Sequence, residues 1–141
     1  MISTRGRYAL RVMIDIAENG NGHYIRLDEI AKRQGISEKY LESILVILTR
    51  GKLLSGLRGK GGGYKLTRAP EAYTIGSILR LTEGSLAPVA CLKENARPCE
   101  KQTVCKTLPV WKGLNEVING YLDSITLAAL MQQPESGNDV V

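Results

Sequence analysis

The stretch LDEIAKRQGISEKYLESILVILTRGKLLSGLRGKGGGYKLTR, residues 27–68, is where the fold can be read. Leu27, Ile30 and Ala31 recur at helical spacing, and Gly35 stops the run. Ser37 is a good N-cap for a second helix reaching Arg50, with Tyr40, Leu41, Ile44, Leu45 and Leu48 as its apolar positions and Gly51 as its stop. Two helices joined by a short glycine-containing turn form a helix-turn-helix pattern. A strand over 53–57, a glycine-rich tip over 58–63 and a returning strand over 64–67 follow at once. A helix-turn-helix leading directly into a basic β-hairpin has the layout of a winged helix. The fold class expected is therefore mainly α with a small β-hairpin wing.

Working outward, residues 3–18 carry Ala9, Val12, Met13, Ile16 and Ala17 on one helical face, and the run ENGNG at 18–22 breaks the chain. Another helix is predicted over 74–81, with Ile75, Ile78, Leu79 and Leu81 inward. The winged helix-turn-helix domain is thus placed at 1–82, and a polar, proline-containing loop at 83–106. Thr107 can cap a long C-terminal helix over 107–131, with Pro109 in its first turn, before a flexible polar tail at 132–141. Trp111, Leu114, Ile118, Tyr121 and Ile125 form a coiled-coil-like seam on that helix. The seam could pack on its own domain, but its place after the compact region favours a second subunit and a homodimer.

Charge is unevenly spread. Residues 1–80 hold fourteen Lys and Arg against seven Asp and Glu, while residues 81–141 hold five against seven. The basic portion coincides with the helix-turn-helix, which points to a polyanion such as double-stranded DNA. Glu38, Lys39, Glu42 and Ser43, on the first half of the second helix, are candidates for base contacts, and Tyr40 for the core or a phosphate. Arg58 and Lys60 at the wing tip could enter the minor groove or bind phosphate. Gly59 and its neighbours 61–63 would allow close approach. Arg5, Arg7, Arg50 and Lys52 are candidate phosphate contacts.

Enzymatic readings find little support. Starting at Gly59, a phosphate-binding loop would need a second glycine where Tyr64 stands and a hydroxyl where Leu66 stands. The single histidine, His23, reads as a surface residue. No apolar run approaches the ~20 residues that span a bilayer, and the basic N-terminus leads into no secretory segment, so a reducing cytoplasm is expected. In that setting Cys91, Cys99 and Cys105 suit metal binding or redox sensing better than disulfides, with an unused loop as the alternative. The nearby Lys93, Arg97, Lys101 and Lys106 would lower thiol pKa values under either reading. The open spacing does not match the short cysteine pairs of structural zinc sites.

The segments TRGRYALRVMIDIA (4–17), IAKRQGISEKYLESIL (30–45) and LRGKGGGYKLTR (57–68) resemble the Rrf2 family of bacterial winged-helix transcription regulators. The likeness extends over about residues 1–130, including the C-terminal ITLAAL. The resemblance implies a homodimer crossed through the long C-terminal helix on a palindromic operator, read by Glu42 and Arg58. It also implies a 2Fe–2S cluster held by Cys91, Cys99 and Cys105. The first gap between these cysteines is two residues longer than in the family's cluster-binding pattern, and Leu108 stands where some members place a histidine ligand. Other members take a carboxylate from the partner's first helix, a region where this chain has Arg7. Glu94, Glu100, a solvent oxygen or a small thiol are left as a fourth ligand. The resulting expectation is a DNA-binding regulator sensing iron–sulfur, redox or nitric-oxide status. A cluster-independent repressor governed by a protein partner or metabolite is the alternative within the family, and a metal-handling protein with an incidental basic surface is the alternative outside it.

Overall fold

The computed structural model describes residues 2–97, 101 and 103–131; the tail expected at 132–141 lies outside them, as do Cys99 and Glu100. The elements are α1 (Thr4–Gly20), α2 (Leu27–Gln34), α3 (Glu38–Arg50), β1 (Leu54–Leu57), β2 (Gly63–Leu66), α4 (Ile75–Glu83), α5 (Leu108–Asp123) and α6 (Leu127–Met131). Short 3-10 turns at Pro70–Ala72 and Ala90–Leu92 precede α4 and lie within the cysteine loop. No helix among the described residues is long and apolar enough to cross a membrane.

The helix-turn-helix begins and ends on the local signals. Gly35 is left-handed at φ 65° after α2, and the Ser37 side chain accepts from the Tyr40 N–H at the start of α3. Leu41, Ile44, Leu45 and Leu48 turn inward and meet Val12, Met13 and Ile16 of α1 and Ile78 of α4 in one core. Gly51 follows α3 without becoming left-handed; that conformation falls to Lys52, at φ 63°. Glycine at 51 instead leaves room for Leu81, whose side chain would have to shift to admit a Cβ there.

β1 and β2 pair antiparallel from Leu54↔Leu66 to Leu57↔Gly63. Ile25 extends this ribbon on the other edge of β2, exchanging both backbone hydrogen bonds with Tyr64 at 2.9 and 2.8 Å. Gly63, at φ 144°, is required there, since a Cβ would collide with the Ile25 carbonyl. A Cβ at Gly62 would likewise meet the carbonyls of Leu57 and Gly59. These two glycines are therefore demanded by the closing of the wing itself, whatever approaches it.

The helix expected over 107–131 is in fact two. α5 stops at Asp123, and the chain turns back through an isolated antiparallel bridge between Thr126 and Thr74 before α6 begins at Leu127. Ile75 N donates to Ile125 O at 2.9 Å, and Leu127 N to Tyr73 O at 3.0 Å. Leu127 is fully buried in the domain core, which draws the chain out of the helix and docks α6 on α1. Ile125 thus belongs to this return rather than to the face of α5.

Candidate nucleic-acid interface and cysteine loop

On α3 the face opposite the core presents Glu38, Lys39, Glu42, Ser43, Val46 and Arg50, all exposed. Ser43 Oγ donates to Tyr40 O at 2.6 Å. Tyr40 is half-buried, with its ring edge-on to Tyr8 at 5.9 Å between centroids, so its body serves the packing of α3 on α1. Arg58, Gly59 and Lys60 stand exposed at the wing tip, and Gly59 and Gly61 adopt φ 88° and 77°. Arg5 and Arg7 are exposed on the first turns of α1, where Arg7 makes a long contact of 3.4 Å to Thr4 Oγ1.

The ion pairs among the described residues are Arg26–Asp28, Arg33–Asp15 and Arg80–Asp123. None involves Arg5, Arg7, Lys39, Arg50, Lys52, Arg58 or Lys60. Basic side chains without an acidic partner in the fold keep their full charge for phosphate.

Two supports of this surface escape a reading of the sequence. Asp15, buried on the core side of α1, receives Arg33 Nη2 at 2.8 Å, Arg33 Nε at 3.0 Å and Gln34 Nε2 at 2.7 Å. Arg11 Nη2 adds a bond of 2.7 Å to Gln34 O, so α1 grips the last turn of α2 just before α3. The Asp15 hydrogen bonds raise the Arg33 pKa above its ordinary value. The second support is Tyr73, whose buried hydroxyl donates to Leu53 O at 2.8 Å and accepts from Thr67 N at 2.9 Å. One oxygen therefore holds both ends of the wing. An aspartate on an otherwise apolar helical face was the one signal in the sequence for the first support; nothing local marks the second.

The cysteine loop runs from α4 to α5. Cys91 is exposed in the turn Ala90–Leu92, and Cys105 is half-buried three residues ahead of α5. Cys105 Sγ lies 3.4 Å from Thr107 Oγ1, and bonding from the Thr107 hydroxyl, then from its backbone N–H, lowers the thiol pKa. Leu108 opens α5 and offers no donor atom; Glu94 is exposed within the loop. His23 lines a separate groove with Lys65, Arg68 and Met131 that contains no cysteine. Among the described residues, which do not include Cys99, no three His, Cys, Asp or Glu side chains converge. Two accessible thiols, one biased toward thiolate, are soft donors of the kind that iron–sulfur clusters take.

α5 is attached to its own domain by polar groups. Arg80 of α4 donates to Asn119 Oδ1 and Asp123 Oδ2 at 2.8 and 2.7 Å, and holds the Asp123 carboxyl below its ordinary pKa. On the opposite side Val110, Leu114, Val117 and Tyr121, spaced four, three and four, are exposed at 61, 40, 67 and 66%. Trp111 and Ile118, expected in the seam, flank this stripe; Leu114 and Tyr121 lie in it.

A helix-turn-helix closed by a wing, with an uncompensated basic surface around it, defines a winged-helix DNA-binding regulator. The profile of the Rrf2 family, described as an iron-dependent transcriptional regulator, matches residues 2–133, and the chain belongs to that family. It is 34% identical over 134 residues to the HTH-type transcriptional regulator IscR of Erwinia tasmaniensis, a match covering 95% of this chain and 80% of that protein. Its fold is similar to that of CymR, the global cysteine regulator of B. subtilis, with a TM-score of 0.74, 34% identity and coverage of 93% and 95% of the two chains. The structure of T. potens IscR gives a TM-score of 0.75 at 31% identity, covering all of this chain and 93% of that one. These relatives are transcriptional regulators rather than enzymes.

Proposed function

We propose that this regulator binds operator DNA as a homodimer and that its cysteine loop couples iron–sulfur or redox status to that binding. The observation carrying the dimer is the inverted polarity of α5. A helix packed only within its own domain turns its apolar face inward. Here Asn119 and Asp123 face α4, while the stripe from Val110 to Tyr121 faces away. A second copy of α5 across a two-fold axis would cover that stripe and place two α3 helices for half-sites about one DNA turn apart. Glu38, Lys39, Glu42 and Ser43 would face base edges, Tyr40 would support them, and Arg58, Gly59 and Lys60 would carry the wing contact. Arg5, Arg7, Arg50 and Lys52 would bind phosphates.

Cys91, Cys99 and Cys105 would hold the 2Fe–2S cluster, which supplies one-electron chemistry and sensitivity to oxidants. Within the chain, the Thr107 hydroxyl and backbone N–H lower the Cys105 pKa, and the place of this cysteine just before α5 ties the loop to the dimer helix. The depressed Cys105 pKa and the exposure of Cys91 also favour a cluster-free thiol sensor, the second reading.

The test has two arms. Sedimentation equilibrium of the full chain should give a dimer, and Val117→Glu or Leu114→Glu a folded monomer with much weaker operator binding; a dimer unaffected by both substitutions refutes the α5 assignment. Anaerobically purified protein should absorb in the visible, and Cys91→Ala, Cys99→Ala or Cys105→Ala should remove that absorbance. Colourless, iron-free protein after reconstitution that still binds DNA refutes the cluster and leaves the thiol sensor.

A further inference from the structure

Among the described residues, most exposed large apolar side chains belong to α5 or the loop before it, with Ile2 at the N-terminus. Two do not: Val46 of α3, 41% exposed, and Leu57 of β1, 49% exposed. Val46 follows Glu42 by one helical turn and shares its outward face, while Ile44, Leu45 and Leu48 take the core positions around it. Val46, Thr49, Gly56, Leu57, Arg58 and Tyr64 line an open cleft of about 230 Å³ between the recognition helix and the wing.

A valine here serves neither the core nor the helix. Its β-branched side chain is a weaker helix former than Glu42 and Arg50 on the same face, and its exposure brings no hydrogen bond. The major groove offers one apolar group that varies with sequence, the C5-methyl of thymine. We propose that Val46 is a specificity residue that reads a thymine methyl, with Leu57 flanking it on the wing side of the cleft. The assignment rests on α3 being the base-reading helix, and it adds a base identity to that reading. Glu42 can accept from a cytosine amino group. Val46 lies ~6 Å further along the axis. At ~3.4 Å per base step, the thymine falls within about two base pairs of the one that Glu42 reads.

The test uses the full-length protein and duplexes selected by it from a randomised pool. Each thymine in the selected site is replaced singly by deoxyuridine, which removes only the methyl. Burying one methyl corresponds to about a fourfold change in affinity. The wild type should lose about fourfold at one thymine per half-site, close to the base pair whose preference is relaxed by Glu42→Gln. Val46→Ala should weaken the thymine duplex by a similar factor and show no further loss on the uracil duplex, with an unfolding midpoint that is not lowered, because the side chain is exposed and alanine is the better helix former. A flat uracil scan in the wild type overturns the proposal, as does a penalty that persists in Val46→Ala. If no sequence is enriched at all, base reading by α3 fails first, an outcome distinct from enrichment followed by a flat scan.

Discussion

Replacing Tyr73 by Phe removes one oxygen and leaves the ring in place, so its effect isolates the clasp at the root of the wing. The side chain is fully buried, and its hydroxyl donates to Leu53 O at 2.8 Å. It accepts from Thr67 N at 2.9 Å and Arg68 N at 3.2 Å. A phenolic hydroxyl has one donor and two acceptor sites, so its bonding is saturated. Phe leaves two backbone N–H groups without their acceptor and Leu53 O without its better donor; Thr67 Oγ1, 3.4 Å from Leu53 O, recovers little of this. Thr67 and Arg68 are exposed, and water partly replaces the lost acceptor. The net cost is about 2 kcal/mol, a fall in Tm of about 7 °C for a chain of this size. Urea titration followed by circular dichroism should show a lower midpoint with an unchanged slope, because the surface exposed on unfolding is the same. Since the clasp sets the wing against α3, Arg58→Ala should cost less operator affinity in the Tyr73→Phe background than in the wild type. A stability change below about 0.5 kcal/mol would show that the bonds contribute less than a typical buried set and would refute the clasp.

Asp15→Asn presents an amide N–H₂ to the donors of Arg33 and Gln34. Because the Arg33 side chain is 38% exposed and can rehydrate, the expected loss in urea titration is about 2 kcal/mol, below the 3–5 for a fully buried broken pair. Gly63→Ala forces a Cβ toward the Ile25 carbonyl at φ 144° and should cost about 3 kcal/mol, with loss of protection at the Ile25 and Tyr64 amides in hydrogen exchange. The Asp123 carboxyl is held below its ordinary pKa of 3.8, chiefly by the Arg80 hydrogen bond, so it stabilises the folded state above that value and less as pH falls through it. Wild type should therefore be more stable than Asp123→Asn above about pH 5 and lose that advantage as pH falls below 3.8 through the lowered carboxyl pKa, with added salt narrowing the gap because both groups are partly exposed.

The helix-turn-helix and the wing were legible because their signals are local. Ser37 caps its own helix three residues on, Gly35 turns the chain where it stands, and the apolar residues of α2 and α3 repeat at the helical period. The charge asymmetry pointing to DNA is likewise a property of composition, and the motifs of residues 4–68 sufficed for the family. Three features were hidden. The Asp15–Arg33 and Tyr73–Leu53 bonds join residues 18 and 20 positions apart, and their partners are set by how α1, α2 and the wing pack. The 107–131 helix looked continuous because nothing in DSITLAAL is a helix breaker.

The chain thus carries in its order of residues the identity of each element of the helix-turn-helix and wing, since caps, turns and periodicity act over three or four residues. Where α5 ends, and which of its faces is left apolar and open, depend on distant groups. Leu127 finding the core and Gly51 meeting Leu81 are decided only when the helices close on one another. Burial and steric contact are properties of the assembled fold, and no window of sequence contains both partners.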